Sequence, residues 1–485
     1  MSRDPDDLAE LTKSQTAGAN PEAEEDLEDL ALGEDYALNP EYVPMVADAL
    51  DAGDAERLRD LLSALRPEDV ADLMGFLSAK DREELVPHLD PETLGDVLSE
   101  LDTEIREEVL EHLPTASLAK ALGEMDSDDA ADVVDDLEED KKAQVLAAMP
   151  ETERAAIETT LAYEEESAGR LMQREVVAAP QFWTVGQTID HLRRESDELP
   201  ELFFDVYVVD PSYKPVGATP VSHLLRSKRD MPLAQIMEPV TEIPVDMDQE
   251  EVAYIFNKYN LISAPVCEPG GRLVGQITVD DIVGVIQEES EEDILALAGV
   301  SDAGRDATMF GIVRSRLLWL VLNLATEAIA VGAIAFYQDE IAKITALAVL
   351  MPIVSSVGGN AGTQTLAVAV RALASREMNA SNAARIFWRE MGAGIVNGLV
   401  VALAMGAAVT VIYHQNWEFA VRLAITVGLA LVANIFTAAV GGILVPLGLE
   451  RVGRDPAVSS SIFITFLTDF MGFFAVLAIA AMILL

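Results

Sequence analysis

The sequence has one cysteine, Cys267, in 485 residues, which excludes an intrachain disulfide and thiolate-rich zinc sites. Its five histidines, His88, His112, His191, His223 and His414, include no pair at zinc-finger or zincin spacing. A metal held by this chain therefore has oxygen ligands, which favours a hard cation such as Mg²⁺ or Ca²⁺. Basic residues are scarce: 33 Lys and Arg, nine of them Lys, face 83 Asp and Glu. A net charge of −50 disfavours nucleic acid and anionic headgroups as partners. It attracts cations, and it also suits solubility in high salt; composition does not separate the two. No phosphate-cradling glycine loop, nucleophile elbow or Cys/His pair is present, so an enzyme is not expected. No signal-peptide pattern opens the chain.

The acidity is confined to one part. From residue 311 onward there are ten basic and nine acidic residues, leaving 23 basic and 74 acidic residues before it. The length suggests about three domains, and the charge divide separates a cytosolic front from a membrane-embedded back.

Residues 1–40 are rich in Asp, Glu, Ala and Pro without periodicity and read as a disordered acidic tail. From Asp54 the chain divides into nine units of twelve residues, each ending in Leu or Met: Leu65, Leu77, Leu89, Leu101, Leu113, Met125, Leu137, Met149 and Leu161. Most units open on a residue suited to a helix cap or first turn. No such unit buries its apolar stripe alone, so 41–165 is expected to be an α-superhelix. Its surface could bind a partner, sense ions, or serve only as a spacer.

Over 166–286 the pattern changes to β-branched runs alternating with helices, in two copies at about 166–232 and 233–286. The apolar run Ala264–Cys267, the run Leu273–Thr278 containing Val-Gly, and the helix start Thr278–Asp281 resemble a tandem of CBS (α/β) domains. Such pairs regulate attached domains and often bind adenosine nucleotides, so ATP is a candidate ligand and Asp280 a candidate ribose contact, or simply part of a capped helix start. Residues 287–313 follow as an acidic connecting helix, with Glu288, Glu289, Glu291, Glu292 and Asp293 crowding two turns. That run is either a solvated face or a sensor.

Within 314–485 lie five long apolar segments, near 317–337, 344–370, 391–413, 423–449 and 457–485. Arg314, Arg316, Arg371, Arg376, Arg385, Arg451 and Arg454 fall on one side, with only Lys343 and Arg422 on the other. The positive-inside rule then gives five spans with the N-terminus in the cytosol and the C-terminus outside. Polar residues interrupt these segments: Glu327 in the first, PIVSSVGGNAGTQ (352–364) in the second, Asn434 and Thr437 in the fourth, and Ser461, Thr465, Thr468, Asp469 and Gly472 in the fifth. The last set shares a helical face. A carboxylate at the bilayer centre costs roughly 2.5–3.5 kcal/mol, so Asp469 is expected to face water or an ion. Gly358, Gly359 and Gly362 either break the second helix to expose carbonyls or pack it closely on a neighbour.

SSVGGNAGTQ and FLTDFMGFF resemble the second- and fifth-helix signatures of the MgtE-type magnesium channels, and the domain order matches over about residues 40–485. The resemblance implies a homodimer in the cytoplasmic membrane with its pore on the two-fold axis. Asp469 would be the central cation site, with Thr465, Asn434, Gly358, Gly359 and Asn360 along the pathway. Mg²⁺ keeps several waters, so one anionic focus among water-binding oxygens suits the hydrated ion. The resemblance also makes the connecting helix a plug and Mg²⁺ both substrate and regulator. Candidate sensing ligands are Asp126, Asp128, Asp129, Asp246, Asp248, Glu250, Asp280, Glu288, Glu291 and Glu292. The expected function is Mg²⁺ uptake closed by cytosolic Mg²⁺; the alternatives are an ion-coupled carrier of Mn²⁺, Co²⁺ or Mg²⁺, and a non-conducting tethered sensor. Asn260 stands where the family is expected to place an acid.

Overall fold

The computed structural model describes residues 27, 30–33, 36–194, 199, 200, 202–298, 309–374, 376, 378 and 382–484. Two compact units divide at Val285 and Ile286.

The twelve-residue period is the spacing of helix caps. Asp54, Arg66, Ser78, Asp90, Asp102, Pro114, Asp126, Glu138 and Pro150, the first residues of the nine units, are N-caps of Ala55–Leu62, Pro67–Phe76, Ala79–Leu85, Pro91–Glu100, Thr103–His112, Thr115–Leu122, Ser127–Asp135, Glu139–Ala148 and Glu151–Thr160. The side chains of Asp54, Ser78 and Asp90 accept from the backbone N–H three residues on, each contributing about 1 kcal/mol. At the other end, Leu77, Leu101, Leu113, Leu137 and Met149 are buried, and Leu65, Leu89, Met125 and Leu161 pack against the same core.

Each helix packs on the next but one: Pro67–Phe76 on Pro91–Glu100, that on Thr115–Leu122, and that on Glu139–Ala148. Half-buried bases tie the stack across units. Arg82 pairs with Glu108 at 2.6 Å and Arg106 with Asp136 at 2.7 Å. The Lys141 ammonium donates to the carbonyls of Glu111 and Leu113, each at 3.0 Å, which closes the end of Thr103–His112. The core reaches further back than the expected boundary at residue 40, because Ala31 and Leu38 are buried in it. Residues 1–26 of the expected tail lie outside the described residues.

Two three-stranded sheets follow. In the first, β1 (Ala178–Pro180) runs parallel to β2 (Asp205–Val209), which pairs antiparallel with β3 (Pro215–Pro220). In the second, β4 (Ile243–Pro244), β5 (Ser263–Cys267) and β6 (Leu273–Thr278) repeat the order. Register shifts at Val208/Val209 and Val266/Cys267 fall at matching places. Each copy lends its lead-in to the other: Gln173 pairs with Gln276 on β6, and Glu238 with Ala218 on β3. The Val-Gly in each third strand follows from this exchange. A Cβ on Gly217 would lie 2.8 Å from the Glu238 carbonyl oxygen, and one on Gly275 2.7 Å from that of Gln173. Asn260 takes a left-handed φ of 52° as the C-cap of Gln249–Tyr259, a conformation that suits Asn better than an acid with a longer side chain.

Among the described residues the second unit contains five helices long and apolar enough to cross a membrane: Met309–Phe336, Ala346–Ala374, Ala384–Ile412, Trp417–Arg451 and Ser460–Ile483. The second, fourth and fifth spans pack on one another, the third on the fourth, and the first on the fifth. A continuous helix, Val279–Leu297, crosses the expected joint at residues 286 and 287. The expected connecting segment to 313 includes residues 299–308, which lie outside the described residues.

Candidate functional site

Two groups of carboxylates stand out, one in each unit. In the membrane unit, Asp469 on the fifth span is half-buried and accepts a short hydrogen bond from the Ser355 hydroxyl of the second span. Glu327 on the first span lies within hydrogen-bonding reach of the Asp469 carboxyl. Among the described residues no Lys or Arg forms an ion pair with Asp469. Among the described residues its polar neighbours are a hydroxyl and a carboxyl, so an ionised carboxylate here is left to a cation for counter-charge and to water for hydrogen bonds.

Asn434 on the fourth span is fully buried and donates through Nδ2 to the Val354 carbonyl at 2.9 Å, while its Oδ1 has no partner among the described residues. The glycines permit this proximity. A Cβ on Gly358 would meet Asn434 Nδ2 at 2.0 Å, and one on Gly472 would lie 3.0 Å from both Asn434 Nδ2 and Ser355 Cα. The second span runs unbroken through Pro352, Gly358, Gly359 and Gly362. These glycines therefore serve close helix packing, and the break with exposed carbonyls does not occur. The polar face of the fifth span divides likewise. Thr468 is fully buried, whereas Thr465 and Asn360 are exposed on the single chain. Ser355 lay inside the quoted motif, but periodicity could not single it out from Ser356; only the packed helices reveal which serine meets Asp469.

In the first unit, the start of Ser127–Asp135 meets the CBS copies. A cleft of about 790 Å³ is lined by the carboxylates of Glu92, Asp96, Glu124, Asp126, Asp129, Glu153, Glu175 and Asp280, with no basic side chain in the lining. The Ser127 hydroxyl donates to Glu175 at 2.9 Å and accepts from the Arg174 N–H at 2.9 Å, fixing this corner. Beside it Asp128 is buried, and its Oδ1 has no partner among the described residues. Burial, then the neighbouring Asp281, Asp129 and Asp126, push the Asp128 carboxyl well above the usual range. Asp129 is pushed up to about 7 by burial and then by Asp281. Asp281 is pushed up to about 7 by burial and then by Asp280; its Oδ2 accepts from the Thr278 hydroxyl at 2.9 Å. An orphaned buried oxygen among like charges fits a hard cation that replaces several protons at once. Asp281 escaped the sequence reading because the helix start Thr278–Asp281 offers two adjacent acids and no signal for which one turns inward.

The other predicted ligands go elsewhere. Asp248 caps Gln249–Tyr259 by accepting from the Glu250 N–H at 2.9 Å, and neither it, Asp246 nor Glu250 lines the cleft. Glu288, Glu291 and Glu292 are exposed on Val279–Leu297. Within the second unit, Ala296 near the end of that helix is buried with Leu366, Val370, Ala457 and Ile464. Asp293 on the same stretch is raised by burial and then by Asp455.

Comparison with known proteins joins these features. A family model described as a divalent cation transporter matches residues 351–479, one for the MgtE intracellular N domain matches 65–166, and a CBS domain model matches 233–288. The magnesium transporter MgtE of Thermus thermophilus is 33% identical over 68% of this chain and 73% of its own length. That of Enterococcus faecalis is 34% identical over 68% of this chain and 72% of its own. This chain belongs to the MgtE family. A crystal structure of the soluble part of a magnesium transporter is 30% identical, covering 52% of this chain and 98% of that one at a TM-score of 0.48. In this MgtE-family protein the Asp469 group thus lies inside the segment matched to the transporter model, and Asp126, Asp128 and Asp129 inside that matched to the N domain. With its five apolar helices, the chain is a membrane protein.

Proposed function

We propose that this chain carries Mg²⁺ across the cytoplasmic membrane as a homodimer, with its N-terminus in the cytosol and its C-terminus outside. The observation that carries the reading is Asp469, held by Ser355 and set against Glu327 in an apolar bundle, with no ion pair to a Lys or Arg among the described residues. Ser355 engages one carboxylate oxygen of Asp469, and the rest of the Asp469–Glu327 pair faces water around the ion. The exposure of Thr465 and Asn360 on a single chain, and a first span of which only 6% is buried, support a second copy completing the wall. The relatives are named as magnesium transporters, which supports Mg²⁺ as the substrate.

Regulation belongs to the acidic cleft. Cytosolic Mg²⁺ binding among Asp126, Asp128, Asp129, Asp280 and Asp281 replaces mutual repulsion with attraction; at an effective dielectric near 20, charges 4 Å apart interact by about 4 kcal/mol. The bound state then closes the pathway, with Val279–Leu297 as the transmitting element. Asp280 lines a cleft without counter-charge for a triphosphate, so we assign it to cations, and an adenosine nucleotide on the CBS pair uses another face. Flux into liposomes tests the reading: Mg²⁺ enters down its gradient without a second ion gradient, faster than Mn²⁺ or Co²⁺, and stops when Mg²⁺ is raised on the cytosolic side. A requirement for a second gradient makes the protein a coupled carrier; no flux at all makes it a sensor.

A further inference from the structure

The superhelix carries a second large groove, of about 810 Å³, remote in chemistry from the acidic cleft. Its floor is apolar, with Val86, Leu94 and Val109. Lys80, His112 and Lys120 stand on its rim. Such a cluster of cationic groups is unusual in a chain with 83 acids and 33 bases. Two acids, Glu83 and Glu108, also line it, but Glu108 is engaged by Arg82 at 2.6 Å. Lys80 touches Asp51 and Glu84 at 3.3 and 3.4 Å in exposed pairs, which are worth little and exchange readily.

We propose that this groove is the docking site of the chain's own N-terminal segment, residues 4–11, DPDDLAEL. Three observations favour this occupant. The segment combines four acids with Leu8 and Leu11, matching a cationic rim over an apolar floor. Residues 1–26 lie outside the described structure and end where the chain enters the core: Asn39 Nδ2 donates to the Leu30 carbonyl at 2.9 Å, and Ala31 is buried. From there the helix Tyr42–Ala52 leads to Asp51, the partner of Lys80 on the rim. The tail is thus rooted about one helix length, roughly 15 Å, from the groove. With roughly 3.3 Å available per residue at full extension, the stretch between residues 11 and 27 is long enough to cover that distance. Leucines on the floor and carboxylates on the rim make docking the intramolecular counterpart of acidic-peptide recognition.

Disulfide trapping in the full-length protein tests this. Cys267 is buried and does not compete. The pair Leu8→Cys and Ser117→Cys places one thiol on the tail and one in the groove; Leu8→Cys with Ser212→Cys, on an exposed turn, is the control. The expected result is an intramolecular disulfide forming at least tenfold faster in the groove pair. Lys120→Glu slows it several-fold, and Asp6→Lys with Asp7→Lys restores it. Equal rates in the two pairs, a cross-link joining two copies, or indifference to Lys120→Glu would each overturn the proposal.

Discussion

Carboxylates gather at two places in this molecule, and in the function proposed above the two solve opposite problems. In the membrane unit one half-buried acid, Asp469, sits in an apolar wall with Ser355 and Glu327 beside it. In the first unit eight acids line one cleft, with Asp128 and Asp281 packed behind them. A passing ion must be held weakly enough to leave, so one focus suffices and its hydration shell survives. A regulatory ion must change the energy between two arrangements, and many repelling charges make that change large. On the proposed function, the number of acids, more than their type, separates the pathway from the sensor.

The largest effect breaks the pathway side alone. Asp469→Ala should reduce liposome Mg²⁺ flux to background while the protein keeps its assembly state on size exclusion; normal flux in that variant would remove Asp469 from the pathway. Next, Ser355→Ala removes a hydrogen bond to a charged group, worth about 1.5–3 kcal/mol. It should lower flux roughly tenfold and leave the cytosolic response to Mg²⁺ unchanged. A shifted Mg²⁺ response would mean that the two sites are not separable. In the first unit, Gly275→Ala forces a Cβ to within 2.7 Å of the Gln173 carbonyl and should cost about 1–3 kcal/mol of stability, read as a lowered midpoint in urea.

The smallest effect sharpens the sensor side. Asp129 and Asp281 stand at about 7 when folded, above the ordinary carboxylate range that applies when unfolded. Between roughly pH 4 and pH 7 the folded form therefore binds more protons, so without Mg²⁺ stability falls as pH rises through that window. Mg²⁺ should offset the loss above pH 7 and do little near pH 5, where protons occupy the site. Thermal unfolding at both pH values, with and without Mg²⁺, checks this. Equal stabilisation by Mg²⁺ at the two pH values would place its binding elsewhere.

The legibility of the sequence differed between repeats and contacts. The twelve-residue period marked every cap from Asp54 to Pro150 because one helical turn count and one corner recur. Val-Gly in both CBS copies was visible as a pattern, but its cause, a lead-in strand exchanged between copies, needed the pairing of Gln173 with Gln276. The glycines of the second span could be read as a break or as packing, and the unbroken helix Ala346–Ala374 decided for packing.

What the sequence by itself determined is whatever repeats along one element: the unit length, the apolar spans, the acidic front and the lone acid at 469. Local hydrogen bonds and transfer from water fix these, whatever the rest of the chain does. Only the tertiary structure decided that Ser355 meets Asp469 across 114 residues, and that Asp281 joins Asp128 at the end of a helix far away in sequence. Such partners are chosen by how whole helices pack, and no period within either segment records that choice.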